Sequence, residues 1–358
     1  MEKIKNRLIP VITVLVIIII AVTLYFIFKN TVATKKQFGS SEGITVALTM
    51  NDELKEDTIW CGTFQLIWND LKNDIAKQNI IFTNHTSLTE NLNWGDFDTS
   101  KISEDAYYKK VGIPSQDLKR EIEKEINEKF NETSDILDSF DWDNTDSYIL
   151  YCMLKKEFEF EYEFDTLENS VFADKYPNIK YFGIKNSTKD EVKNQVEVLY
   201  YNSKSDFAIK LKTKGNDEII LTNSTGETLN EIYNNVKSQE QNYQGNKKLE
   251  NNEIVKIPNI DFKKKSEFTE LENKEFEISS GDFYYISKAI QTIEFELNKK
   301  GGKIKSEAGM QVNSAGEPIE THEIREFILD NTFTIFLQEK DKDMPYFAAQ
   351  INDITKFQ

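Results

Sequence analysis

Residue types that commonly perform catalysis are scarce in this sequence, and their spacing does not predict a catalytic site. The two histidines, His85 and His322, are far apart in polar surroundings, and the two cysteines, Cys61 and Cys152, lie in apolar stretches. A Ser-His or Cys-His pair needs its base within hydrogen-bond reach of the nucleophile. The chain contains no GxSxG, HExxH, P-loop or GxGxxG motif. We therefore expect a protein that is not an enzyme.

The cysteines and histidines also fail to predict a closed structural zinc site, because such sites need four ligands at characteristic short spacings. The cysteines leave two alternatives open. A disulfide between Cys61 and Cys152 would form if the domain lies outside the cell. Two buried free thiols fit the apolar surroundings equally well.

Two acidic runs could in principle bind a metal or transfer protons. In Phe158–Phe164 (FEFEYEF) three glutamates alternate with aromatic residues, which predicts a β-strand with one buried and one solvent-exposed face. Nothing on an exposed face raises a carboxyl pKa, so we expect no catalysis there. Asp141–Asp146 (DWDNTD) begins like a calcium loop, but it lacks the glycine at position 6 and has Cys152 at position 12. We expect no metal and no cofactor.

The N-terminal region has the clearest signature. Leu8–Phe28 carries no charge and, as a helix rising about 1.5 Å per residue, would span a hydrocarbon core of about 30 Å. No small-residue cleavage site follows it. Lys3, Lys5 and Arg7 precede it and favour a cytoplasmic N terminus. We predict a cytoplasmic tail (1–7), a single-pass transmembrane anchor (8–28), a stalk (29–44) and an extracellular domain (45–358).

The charge of the extracellular part excludes some partners. The whole chain has a formal net charge of −17; six Lys or Arg and one Glu give residues 1–36 a charge of +5, which leaves −22 for the rest. Such a charge argues against binding to nucleic acid or to anionic lipid. It also keeps a surface protein soluble, and we expect a monomer.

Hydrophobic periodicity predicts several regular elements. The aromatic residues of Ile59–Ile75 recur at helical spacing and predict an amphipathic helix that either buries Trp60 and Trp68 or presents them to a partner. A second, charged helix is predicted over Ser115–Phe140 (SQDLKREIEKEINEKFNETSDILDSF), with Pro114 and Ser115 at its start. Val196–Leu221 predicts three strands separated by turns.

The segment Lys299–Glu323 (KKGGKIKSEAGMQVNSAGEPIETHE) is polar and contains four glycines. It connects two segments that predict buried strands, Thr292–Asn298 and Phe333–Gln338. Loops longer than about 12–15 residues without structure of their own are usually functional or disordered. The segment is therefore either a mobile surface loop or the working part of the molecule.

Five segments between Ser147 and Ile354 resemble serpins in their order and spacing. The last, Thr332–Ile354, resembles the final two serpin strands through Phe333, Pro345 and Phe347. The other four are Ser147–Asp165, Val196–Lys212, Val255–Leu271 and Ile286–Gly302. The resemblance implies an α+β fold with a large, mostly antiparallel central sheet and N-terminal helices.

The resemblance also implies a role for the long segment, because the loop 299–326 falls where serpins carry the reactive-centre loop. In that family a protease cleaves the loop, which then inserts into the large sheet as an extra strand. The hinge residues that the resemblance implies are Gly301, Gly302, Ile304 and Ser306. In this register Lys303, Lys305 and Glu307 point outward; the opposite register would bury three charges at several kcal/mol each.

Two functions follow from the resemblance. The loop could be the bait of an inhibitor of an extracellular serine or cysteine protease, with the scissile bond at Ala315–Gly316, which suits a small specificity pocket of the elastase or subtilisin kind. Lys299 and Gln291 depart from the glutamate and histidine that inhibitory serpins have, which favours a non-inhibitory member. The alternative from a different class is a cell-envelope binding or assembly module that uses its acidic surface.

Overall fold

The computed structural model describes residues 41–83, 88–307 and 325–358. The predicted anchor Leu8–Phe28 lies outside these residues, as do both histidines. Within these three ranges, no helix is long and apolar enough to cross a bilayer. Residues 41–44, at the end of the predicted stalk, already pack on the domain: Ile44 is buried, and the Ser41 hydroxyl donates to the carbonyl of Lys263 (3.1 Å).

Strands dominate the described part of the chain. In chain order they are β1 (Thr45–Val46), β2 (Thr58–Cys61), β3 (Tyr107–Gly112), β4 (Ile149–Glu159), β5 (Asp165–Thr166), β6 (Ser170–Phe172), β7 (Tyr176–Ile179), β8 (Tyr181–Ile184), β9 (Val196–Ser203), β10 (Asp206–Lys212), β11 (Asp217–Thr222), β12 (Ile254–Pro258), β13 (Ile260–Glu267), β14 (Glu275–Glu277), β15 (Phe283–Tyr285), β16 (Ile290–Asn298), β17 (Gly301–Glu307), β18 (Glu326–Ile328), β19 (Phe333–Glu339) and β20 (Phe347–Ile351).

The described part of the chain has fewer helices than strands, and most of the helices lie in its first half. They are α1 (Thr63–Asp70, continued by a π-helical turn at Leu71–Ala76), α2 (Leu88–Asn93), α3 (Gln116–Phe130), α4 (Asp190–Lys193) and α5 (Leu229–Asn242). Short 3₁₀ turns lie at Thr99–Lys101, Glu104–Ala106, Leu137–Ser139 and Ile354–Lys356.

Three sheets form the body of the domain. The seven-stranded sheet has the order β1-β2-β20-β19-β11-β10-β9, the five-stranded sheet β13-β16-β17-β4-β3, and the four-stranded sheet β18-β12-β8-β5. Two small hairpins, β6-β7 and β14-β15, complete the set in the described residues. All pairs are antiparallel except β1 with β2 and β12 with β18.

The two larger sheets share one hydrophobic core. The ring of Phe295 on β16 lies 4.7 Å from that of Phe347 on β20, centroid to centroid. On the other face of the five-stranded sheet, α3 buries Leu118, Ile122 and Ile126, which recur every four residues, against side chains of β4. The five-stranded sheet is thus covered on both faces over much of its area.

The prediction of one helix over Ile59–Ile75 was partly wrong. Residues 58–61 form β2, which pairs with β20 so that Trp60 lies opposite Ala348, and the helix begins only at Thr63. Pairing with a strand nearly 290 residues away in sequence overrides the local helical spacing. Trp60 and Trp68 are 1% and 2% exposed, so they belong to the core and cannot present a surface to a partner.

The strand predicted over Phe158–Phe164 ends at Glu159. Glu159 lies opposite Gly301, the first residue of the neighbouring strand β17, so the ladder has no partner beyond it and the chain turns. Phe160 and Phe164 remain buried and pack edge to face at 4.8 Å, whereas Tyr162 is 44% exposed.

Other predicted elements are present, although the second predicted helix (α3) ends at Phe130, ten residues before its predicted end, where Asn131 adopts a left-handed conformation. The Ser115 hydroxyl caps α3 by accepting from the N–H of Leu118 (3.1 Å). Val196–Leu221 forms the meander β9-β10-β11. The buried strands predicted on either side of the long segment are contained in β16 and β19.

Candidate functional site

Gly301–Glu307, here called the hinge strand (β17), lies in the middle of the five-stranded sheet. It is antiparallel to β16 on one side, from Asn298 opposite Gly301 to Thr292 opposite Glu307. On the other side it is antiparallel to β4, from Glu159 opposite Gly301 to Leu154 opposite Ser306. The sequence left open whether the long segment is a mobile surface loop or the working part of the molecule. Its first part, Gly301–Glu307, is a strand of the sheet in the intact chain and not a surface loop.

The two hinge glycines are required by close approach of the backbone. Gly301 has a φ of +150°, and a Cβ there would lie 2.1 Å from the carbonyl oxygen of Phe158. A Cβ on Gly302 would lie 2.2 Å from the carbonyl oxygen of Glu296. Because both contacts are with backbone atoms, which cannot move aside as a flexible side chain could, only glycine fits at either position.

The inward face of the hinge strand fits the core. Ile304 and Ser306 have no exposed surface. The Ser306 hydroxyl lies 3.3 Å from the Thr63 hydroxyl and accepts from the Gln291 amide at 3.1 Å. Gln291 also donates to Thr63 (3.3 Å), so the three side chains form a buried polar cluster. A buried hydroxyl without such partners would oppose insertion.

Cys61 lies beside this polar cluster. Burial raises the pKa of the Cys61 thiol to about 11, although a hydrogen bond with Ser306 acts in the opposite direction. Cys61 and Cys152 are both buried, and no disulfide joins them in the part of the chain that the structure describes; this is the second of the two alternatives left open by the sequence. A protonated, buried thiol is a poor nucleophile.

The outward face of the hinge strand carries lysines that find acidic partners. The Lys303 ammonium lies 3.1 Å from a carboxylate oxygen of Glu294. Burial alone would lower the pKa of Lys303, but the hydrogen bond and charge of Glu294 outweigh it and raise the pKa. Lys303 is thus held in its charged form within the sheet.

Lys305 is covered by the segment that follows α3. Its ammonium lies 3.2 Å from Glu132 and 3.5 Å from Asp135, and it donates to the carbonyl of Thr133 (2.9 Å). Lys305 is only 9% exposed. The sequence predicted that Lys305 points outward, and it does; the chain after α3 lies over this face and supplies carboxylates to the lysine.

The connection between β16 and the hinge strand has only two residues, Lys299 and Lys300. The Lys299 ammonium pairs with Glu163 at 2.5 Å, and this hydrogen bond lowers the pKa of the Glu163 carboxyl. The carbonyls of Lys299 and Lys300 accept from the N–H groups of Phe164 and Phe160, both at 2.9 Å. Lys299, which replaces the glutamate of inhibitory serpins, therefore joins the turn to the segment that follows β4.

Arg325 fixes the far end of the long segment, and sequence reasoning did not identify it. Its guanidinium binds the carboxylate of Glu253 (2.5 Å), donates to the Tyr243 hydroxyl (3.0 Å) and lies over the ring of Phe327 (5.5 Å). Arg325 is one of three arginines in the chain and directly precedes β18. The rarity of arginine was the sequence feature that could have drawn attention to it.

The scissile candidates Ala315 and Gly316 lie outside the described residues.

Two of the three glutamates of the FEFEYEF run, Glu159 and Glu163, are surface ion-pair partners. Glu159 pairs with Lys214 at 2.6 Å, and the hydrogen bond lowers the pKa of the Glu159 carboxyl, as Lys299 does for Glu163. Carboxyl groups with lowered pKa values are ionised at neutral pH and cannot act as general acids there. Across the residues that the structure describes, no three His, Cys, Asp or Glu side chains are grouped so that they could hold a metal ion.

The sequence matches no protein-family model, and no curated protein matches it. Solved structures do match. A structure described as cleaved serpin 42Da is 14% identical, with a TM-score of 0.52 over 83% of this chain and 91% of that chain. A loop C-sheet serpin polymer is 12% identical, with a TM-score of 0.51 over 89% of this chain and 97% of that one. The chain thus has a serpin-like α+β fold with large multi-stranded sheets, as the five-segment resemblance implied.

Proposed function

We propose that this protein is a non-enzymatic, serpin-type inhibitor of an extracellular serine or cysteine protease that acts through the loop 299–326. The observation that carries the proposal is the hinge strand, which is paired on both sides within the five-stranded sheet. Serpin inhibition, as the resemblance implies it, needs a hinge that the sheet can accept. Gly301, Gly302, Ile304 and Ser306 meet that need here.

The charges of the hinge do not oppose insertion. An unpaired buried charge would cost several kcal/mol. Lys303 and Lys305 each have carboxylate partners within 3.2 Å, supplied by β16 and by the segment after α3. The departures from the serpin hinge pattern are therefore compensated by residues elsewhere in this chain.

The alternation of the hinge strand continues in the sequence beyond Glu307. If the register of β17 were extended, Ala308, Met310, Val312 and Ser314 would share the face of Ile304 and Ser306. Residues 149–153 of β4 pair with β3 on one side and, in the described parts of the chain, with no strand on the other. Cleavage at Ala315–Gly316 would free a segment whose pattern suits that position.

The decisive experiment incubates the full-length protein with subtilisin or elastase and looks for a covalent complex on denaturing gels. We expect a complex of protease and inhibitor together with a new N terminus at Gly316. Ser306→Arg places a long charged side chain on the inward face, and we expect it to be cleaved without forming a complex. As a control, Lys303→Arg places the same arginine side chain on the outward face, and we expect it to retain inhibition.

Cleavage of the unmodified protein without any complex would overturn the inhibitor proposal and favour a non-inhibitory member of the same fold.

We further propose that Leu8–Phe28 anchors the protein in a cell membrane, with the described domain outside. Protease added to intact cells should then remove the domain and leave an N-terminal fragment in the membrane. Protection of the domain in intact cells would contradict this topology.

A further inference from the structure

A basic cavity lies at the edge of the seven-stranded sheet, away from the hinge strand. It has a volume of about 240 Å³ and lies between α4, the start of β9, the end of β10 and residues 247–249. Four of its eight lining residues are lysines, Lys193, Lys212, Lys247 and Lys248, and only Glu197 is acidic. This is unusual in a chain with 61 acidic and 44 basic residues.

The lysines of the cavity are only partly neutralised. Glu197 is shared by two lysines, Lys212 at 3.3 Å and Lys210 at 3.4 Å. Lys193 is 7% exposed, and its partner Asp190, at 3.3 Å, has a side chain that is 79% exposed. The ammonium groups of Lys247 and Lys248 form no ion pair with any residue in 41–83, 88–307 or 325–358.

The backbone that carries the two unpaired lysines is fixed. The Lys247 carbonyl accepts from the N–H of Val198 (2.9 Å), and the Lys248 carbonyl accepts from Arg325 (2.9 Å). The backbone of Lys248 also forms an isolated antiparallel β-bridge with Glu197 of β9. Ordering a mobile segment costs free energy on binding, and this segment is already ordered.

We infer that this cavity binds a small dianion of the phosphate class, either inorganic phosphate or a phosphomonoester group. Lysine ammonium groups are point-charge ligands for phosphate. The volume lies below the roughly 300–1,000 Å³ of pockets for drug-sized ligands, which suits a group of this size. Because residues 37–358 carry a formal charge of −22, an anion binds most favourably where lysines are locally in excess.

The test titrates the full-length protein with inorganic phosphate by calorimetry, at constant ionic strength maintained with sodium chloride. We expect saturable binding that is weakened at least about tenfold in the double variant Lys247→Gln/Lys248→Gln. The matched control is Lys55→Gln/Lys77→Gln, which changes the net charge equally at two exposed lysines elsewhere on the surface. We expect the control to bind as the unmodified protein does.

Absence of saturable phosphate binding by the unmodified protein, or equal weakening in both double variants, would overturn the inference. Phenyl phosphate in a parallel titration distinguishes the two sources: tighter binding than phosphate indicates a phosphomonoester, and equal or weaker binding indicates the free anion. A second measurement uses the protein without substitutions: chemical acetylation of each lysine is measured by mass spectrometry with and without phosphate. Phosphate should protect Lys247 and Lys248 and leave Lys55 and Lys77 reactive.

Discussion

Lys305 and Ser306 are adjacent in sequence and occupy opposite faces of the hinge strand. Ser306 joins the buried polar cluster with Thr63 and Gln291, whereas Lys305 joins the carboxylates of the segment after α3. A strand at the centre of a sheet that is covered on both faces must satisfy both environments. These two residues show that the hinge is matched to its surroundings on each side.

Lys305→Ala should release the hinge strand from the covering segment. It leaves the carboxylates of Glu132 and Asp135 with fewer cationic partners, so we expect a loss of about 2–3 kcal/mol in the free energy of unfolding. Lys303→Ala is the matched control: its side chain is 41% exposed, and we expect a loss below about 1 kcal/mol. Denaturant titration measures both values, and limited proteolysis between 299 and 307 reports release of the strand.

Equal losses in the two lysine variants would contradict the importance of the covering segment. So would an unchanged rate of proteolysis in Lys305→Ala. Either result would mean that backbone pairing with β4 and β16 alone holds the hinge strand in place.

Among the elements, those determined by local pattern could be predicted from sequence. The meander β9-β10-β11 alternates and has clear turns, and Ser115 gives α3 a recognisable cap. β2 could not be predicted, because its pairing with β20 is non-local. The sequence also did not predict that the hinge strand is part of the sheet before cleavage, and the reason is again non-local pairing. Its glycines and lysines have low strand propensity, and it is a strand because β4 and β16 pair with it on both sides.

Gly301→Ala tests the geometry of the β16–β17 connection. The added Cβ would meet the Phe158 carbonyl, at a φ that L-residues rarely adopt, so we expect a cost of about 1–3 kcal/mol or more and exit of the hinge strand from the sheet. Gly215→Ala is the control, since a Cβ there meets no atom within 4 Å. Hydrogen exchange of residues 301–307 measures the outcome; slow exchange in Gly301→Ala would be inconsistent with the close approach.

At the scale of the whole molecule, the order of five sequence segments was enough to predict the serpin-like fold. The candidate site was predicted in part: the inward positions follow from alternation, but the partners Glu132, Asp135 and Thr63 lie far away in sequence and have no local signal. The cation that fixes the end of the loop, Arg325, is recognisable only from its contacts with Glu253 and Tyr243.

Cleavage within residues 308–324 should stabilise the whole domain. The freed segment can extend the hinge strand alongside residues 149–153 of β4, and we expect the melting temperature to rise by about 10 °C or more. Differential scanning calorimetry of nicked and intact protein measures the change. In Met310→Glu a charge would enter the inward face, so nicking should give little increase; an equal increase in this variant would show that extension does not occur.

The two-residue connection at Lys299–Lys300 also has a consequence for the order of folding. It makes β16 and the hinge strand a hairpin, which forms in about 1–10 μs, whereas β4 reaches the hinge strand only by closing a loop of well over a hundred residues. The hinge strand can therefore occupy its place beside β16 before β4 arrives. Sequence proximity gives the inserted arrangement a kinetic advantage during synthesis, and a form with the loop expelled would have to avoid this early pairing.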